Sequence, residues 1–190
     1  ITVYTSQAAF LAATASSGVD TFAGFSITGS TPSPITRSAG AFGYTAAVST
    51  TSFFGAGTSA DPWLSTNTAT DSITFNAFTG GVQAIGGNFF GSDINGLFSA
   101  GDVTLTATDA SGSVTQTIIG ATTASFLGFV STGAMTSLVL SSVQPISGFL
   151  WPTTDNITLG TAAAVPEPGT YGLMLAGLGL FGFLARRRQA

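Results

Sequence analysis

The sequence predicts an all-β protein: an antiparallel β-sandwich or jelly-roll-like body with one short N-terminal helix, followed by a C-terminal hydrophobic helix of transmembrane type. Three observations predict it. Short segments alternate polar and apolar residues with a period of two, as in Asp102-Val103-Thr104-Leu105-Thr106-Ala107-Thr108, the pattern of a strand with one buried face. Gly, Pro, Ser and Asn punctuate the chain between such segments, with no helical period there. The last residues switch to an uncharged apolar run that ends in three arginines.

The opening Ile1-Thr2-Val3-Tyr4-Thr5 is β-prone, and Ser6 then serves as N-cap for a short helix over Gln7–Ala13, with Phe10 and Leu11 facing inward. Residues 24–70 are rich in Ser, Thr, Gly and Pro and read as long surface connections with some edge strand. Ser72–Phe78 alternates and is a strand. Asp102–Thr108 and Ser113–Ile119 flank the turn Asp109-Ala110-Ser111-Gly112 and form a hairpin. Val82–Phe90, Ala124–Val130, Met135–Ser141 and Asn156–Gly160 supply further strands. The 16 Phe residues fill the space between two sheets, which a body of this size can bury without disulfides.

Composition excludes much chemistry. Of 190 residues only 12 are charged, four Lys or Arg and eight Asp or Glu, for a net charge of −4; Lys, His and Cys are absent, whereas Thr occupies 30 positions and Ser 22. Histidine-dependent nucleophiles, Schiff-base lysines and Cys/His zinc sites are therefore ruled out. Residues 1–165 hold seven carboxylates (Asp20, Asp61, Asp71, Asp93, Asp102, Asp109, Asp155) against one base, Arg37, so no nucleic-acid partner is expected. Glycoside hydrolysis needs only two carboxylates, yet no pair stands out and the body has no Glu; no enzyme activity is expected. A hydroxyl-rich surface with little charge has little mutual repulsion and leaves self-association open.

The chain divides into a body (1–161), an Ala/Pro-rich linker (162–170) and a tail (171–190). Its start at Ile1 without Met suits either a processed secreted protein or a trimmed chain. In the linker, Val165-Pro166-Glu167-Pro168-Gly169 is held extended by its prolines. The run Tyr171–Ala185 is uncharged; as a helix it reaches ~22 Å, short of a ~30 Å hydrocarbon core, and Arg186, Arg187 and Arg188 can snorkel to the headgroups. The arginines place that end on the cytoplasmic side and the body outside. Gly172, Ala176 and Gly179 form a small-residue stripe suited to helix–helix contact in lipid.

The order Pro166-Glu167-Pro168, apolar segment, Arg186-Arg187-Arg188 closely resembles the PEP-CTERM sorting signal of Gram-negative bacteria. The resemblance covers about the last 25 residues. It implies an exported protein handled by the membrane protease-transpeptidase exosortase, with Pro166, Glu167 and Pro168 as the recognition element, 171–185 as a transient anchor and Arg186–Arg188 as the stop-transfer cluster. It further implies association with exopolysaccharide, biofilm or floc at the cell envelope, cell surface or extracellular matrix. Gly86-Gly87-Asn88-Phe89-Phe90, Phe126–Ser131 and Asp155–Gly160 also resemble bodies joined to that signal, which implies a β-sandwich without an established activity.

Few residues qualify as a site in the body. Asp93-Ile94-Asn95-Gly96 reads as a turn in preference to a fragment of a Ca2+ loop, which offers too few oxygens by itself and to which Asp102 or Asp155 could contribute from elsewhere. Asp155-Asn156 reads as a structural bond at the start of the last strand or as an ion or ligand contact. Trp63 and Trp151 are packing residues or sugar-stacking platforms. The expected function is a non-catalytic surface or matrix protein associating with exopolysaccharide or with copies of itself. A filament subunit that keeps its tail helix as core, and a carbohydrate-binding module using Trp151, Asp155 and Asp93, are the alternatives.

Overall fold

The computed structural model describes residues 1–164. The sorting motif Pro166–Pro168, the apolar helix with Gly172, Ala176 and Gly179, and Arg186–Arg188 lie outside the described residues. Among the described residues no helix is long and apolar enough to cross a membrane.

The elements are β1 (Thr2–Tyr4), α1 (Gln7–Ala12), β2 (Thr14–Asp20), β3 (Ser30–Pro32), β4 (Ile35–Ala39), β5 (Phe42–Val48), β6 (Ser52–Gly57), β7 (Pro62–Thr66), β8 (Ser72–Asn76), β9 (Ala84–Ser92), β10 (Phe98–Ser99), β11 (Gly101–Asp109), β12 (Gly112–Ala121), β13 (Phe126–Val130), β14 (Met135–Ser142) and β15 (Trp151–Ala162). They form two antiparallel sheets. One runs β1-β13-β9-β15-β7-β6-β3, with β10 added on β9 and β2 on β15; the other runs β12-β11-β14-β8-β5-β4. Inward residues of both sheets meet in one core that includes Tyr44, Phe53, Leu64, Ile73, Phe75, Phe89, Leu105, Phe129, Leu138 and Leu159. The body is thus all-β and sandwich-like.

The period-two segments all become strands because alternation buries one face. In β11, Val103, Leu105 and Ala107 are buried while Thr104, Thr106 and Thr108 are not. The hairpin forms as expected, β11 pairing β12 from Thr108↔Ser113 to Val103↔Ile118. Ser6 caps α1 through its side chain.

Two expectations are corrected. Leu11 does not face inward: it is 39% exposed, whereas Phe10 is fully buried. A six-residue helix has room for one anchor, and Phe10 rests on Gly128, where any Cβ would overlap its ring. Residues 24–70 are not mainly surface connections but supply five strands, β3 to β7. In β5 the buried face is Phe42, Tyr44, Ala46 and Val48, an alternation partly hidden by small side chains.

The last strand is longer than the sequence suggested. β15 is bonded along one side to β9, and along the other first to β7 and then to β2. A bulge between Asp155 and Thr158 coincides with Asn156 at φ 54°, a left-handed conformation that Asn tolerates better than most residues.

Candidate functional site

The candidate residues separate into three places. Asp93 sits in the loop after β9, where its Oδ1 accepts the N–H groups of Asn95 (2.8 Å) and Leu97 (3.0 Å). Gly96 has φ 75° there, so the D-x-N-G sequence makes the turn, and Asn95 is exposed. Asp102 opens β11 and accepts the N–H of Gly120 at 2.8 Å. Asp155 lies within β15 opposite Asn88 of β9, not at the strand's start. Among the described residues no group of three carboxylates gathers as a metal site.

Asp155 and Asn156 do come together. The Asn156 N–H (2.7 Å) and its Nδ2 (2.6 Å) both donate to the Asp155 carboxylate, and the same Nδ2 reaches Asn88 Oδ1 at 3.4 Å. Burial pushes the Asp155 carboxyl up to about 6, the Asn156 N–H opposing it and the charges of Asp61 and Asp20 adding to it. The native state therefore holds a proton that the unfolded chain, titrating near 3.8, has lost. This contribution is present at low pH and is lost as pH rises through about 6. Between pH 4.5 and 7, urea unfolding should show a loss of about 1–2 kcal/mol after allowance for solvent screening. Asp155→Asn should flatten that slope; an unchanged slope contradicts the assignment.

Asp109 shows the opposite balance. Hydroxyls of Ser111 (2.6 Å) and Ser131 (2.6 Å) and the N–H groups of Ser111 and Gly112 donate to it, holding its carboxyl well below the usual range. It ties the β11–β12 turn to the end of β13 and serves structure.

Sequence reasoning missed a charged cluster built on Asp20. Asp20, at the end of β2, accepts Arg37 Nε (2.6 Å) and Nη2 (2.7 Å), Tyr44 Oη (2.7 Å) and the Phe22 N–H (2.8 Å). The guanidinium also lies over the Phe22 ring, 5.1 Å from its centroid. Asp20 raises the affinity of Arg37 for its proton, and burial first, then the Asp20 charge, pushes the Tyr44 phenol above its ordinary value. One signal was available: Arg37 is the only base before the tail, so burying it required one of the seven aspartates.

The aromatic residues mark one end of the body. Trp151 starts β15 with its ring 6.1 Å from that of Phe149, and both line an uncharged groove of about 250 Å³ with Asn67, Thr68, Ala69 and Thr70. Phe149 is 65% exposed. Trp63 instead packs edge-on against Phe90 at 4.9 Å and donates its indole N–H to Asp61.

The C-terminal end of β15 is elsewhere. The strand closes at Ala162, and Ala163 N–H bonds to Ala13 at the end of α1. Residues 164–188 match the model of the PEP-CTERM protein-sorting motif. The chain carries a PEP-CTERM sorting signal. That signal implies an exported protein, processed by exosortase and placed at, or released from, the cell envelope. No curated protein and no solved structure matches the chain.

Proposed function

We propose that this PEP-CTERM protein is a non-catalytic structural component of the surface or extracellular matrix of a Gram-negative bacterium, acting in biofilm, floc or exopolysaccharide-associated assembly. The observation that carries the reading is the junction between body and signal. The central strand β15 ends at Ala162, and the sorting motif begins at residue 164. Exosortase then meets Pro166, Glu167 and Pro168 a few residues along the chain from a body whose last strand is already bonded on both edges. The apolar run serves as transient anchor, Arg186–Arg188 hold its cytoplasmic end, and Gly172, Ala176 and Gly179 offer close packing. Substituting Pro166, Glu167 and Pro168 together by Ala should shift the protein from the surface or matrix fraction to an unprocessed membrane-bound form. Unchanged location and processing would refute the reading.

A second reading is favoured by the aromatic groove. Phe149 and Trp151 beside Asn67, Thr68 and Thr70 suit an uncharged glycan, because aromatic faces take sugar C–H groups and hydroxyls and amides take the rest. The groove lies at the start of β15 and the sorting signal follows its last residue in sequence, so glycan and membrane are engaged through opposite ends of this strand. Trp151→Ala should weaken retention on neutral polysaccharide at least about tenfold, the loss of roughly one stacked ring; unaltered retention removes this reading.

A further inference from the structure

Strand β12 closes one end of the six-stranded sheet, and among the described residues no strand covers its outer edge. It is ten residues long, and no charged residue occurs from Ala110 to Thr154. Such an edge is a template for another strand unless charge, proline or shortness guards it. The other free edges are shorter or carry proline: β1 and β3 have three residues each and β10 two, β4 follows Pro34, and β2 has seven residues. β12 contains no proline and no charge.

We infer that β12 pairs antiparallel with β12 of a second copy of this chain, about a two-fold axis through Gln116. The sequence itself selects that occupant. Val114-Thr115-Gln116-Thr117-Ile118 reads nearly alike in both directions about Gln116. The two-fold therefore sets Thr115 opposite Thr117, Val114 opposite Ile118 and Gln116 opposite itself. Side chains alternate faces along a strand, so on the outer face Thr115 meets Thr117, and on the inner face Val114 meets Ile118 on either side of the central Gln116 pair. β12 already pairs in this manner on its covered side: Thr104–Thr117, Thr106–Thr115 and Thr108–Ser113 have oxygens 2.9–3.0 Å apart.

The flank of β12 also has room for the incoming side chains. A groove of about 430 Å³ lies between Gln116 and Ile118 on one sheet and Thr5, Phe126 and Leu127 on the other side. Val114 and Ile118 are only partly buried against the core, and the second copy would complete their cover. Two six-stranded sheets then join into one continuous sheet. The inference deepens the assembly part of the proposed function and takes its biological setting from it, while the pairing is read from this edge alone.

The test uses the full chain in mild detergent with Gln116→Cys, which introduces its sole cysteine. An antiparallel pair places opposing Cα atoms about 4.5–5.5 Å apart, within disulfide span. Mild oxidation should give at least about tenfold more disulfide-linked dimer than Thr36→Cys on the distant β4 edge. Gln116→Lys sets like charges opposite each other and should leave a monomer by sedimentation with an unchanged circular dichroism spectrum. Equal cross-linking at both cysteine positions, cross-linking at neither, or a Gln116→Lys dimer overturns the inference. Because purified protein is used, these results are independent of where Pro166–Pro168 variants travel in the cell.

Discussion

Replacing Asp20 by Ala is expected to lower the unfolding free energy by about 3–5 kcal/mol, the usual cost of removing one partner of a buried ion pair. At this chain length that is a fall in Tm of roughly 6–20 °C. Asp20 is 5% exposed and satisfies four donors: two on Arg37, the Tyr44 hydroxyl and the Phe22 N–H. Alanine leaves all of them without their acceptor. The guanidinium cannot simply withdraw, since Phe22 and Phe25 rings flank it at 5.1 and 6.0 Å. Combining Asp20→Ala with Arg37→Met removes the orphaned charge and should recover a good part of the loss. Urea titrations of both variants check this. A loss below about 1 kcal/mol for Asp20→Ala, the range of an exposed pair, would show that the cluster is solvated in solution.

Deletion from Val165 onwards is expected to abolish delivery and leave folding intact. The residues that close the body stop at Ala162, and the last described backbone bond is that of Ala163 to Ala13. No core side chain lies beyond Leu159 among the described residues. The truncated chain should therefore unfold within about 0.5 kcal/mol of the processed protein, as for changes away from buried features, while failing to reach the surface or matrix. A truncated chain that aggregates or unfolds early would mean that the tail belongs to the fold. One that still reaches the surface would mean that the address lies elsewhere.

The strands that were legible in the sequence are those whose buried positions carry bulky apolar residues. Val103 and Leu105 announce β11, and Leu138 and Leu140 announce β14. β6 and β7 were not legible, because neither alternates: β6 buries adjacent Ser52 and Phe53 and then Gly55 and Ala56, and hydroxyl residues take buried positions in β7. Ser65, Ser92 and Thr153 are almost wholly buried and satisfy one another, Thr153 Oγ1 lying 2.9 Å from Ser65 Oγ and 2.7 Å from Ser92 Oγ. A satisfied hydroxyl costs little to bury, so a reading that sends Ser and Thr to the surface misplaces such strands. Among the described residues every fully buried side-chain N or O has a partner, which is how so hydroxyl-rich a chain sustains a core.

The candidate site followed the same logic. The sorting motif was legible because its three parts are consecutive in sequence. Asp155 and Asn156 were legible as neighbours, but their contact with Asn88 depends on the β9–β15 register. Asp93 and Asp102 were grouped with Asp155 by residue type alone; Asp93 organises its own loop and Asp102 bonds Gly120. The Asp20, Arg37 and Tyr44 cluster joins three strands, and no local pattern encodes such a meeting.

The most direct measurement is the C-terminal peptide of the mature protein recovered from the cell surface or matrix, identified by mass spectrometry. The account predicts a chain ending at or near Pro166-Glu167-Pro168, with the apolar run and arginines removed. A C-terminal peptide that still contains Arg186–Arg188 in surface-located protein would contradict it.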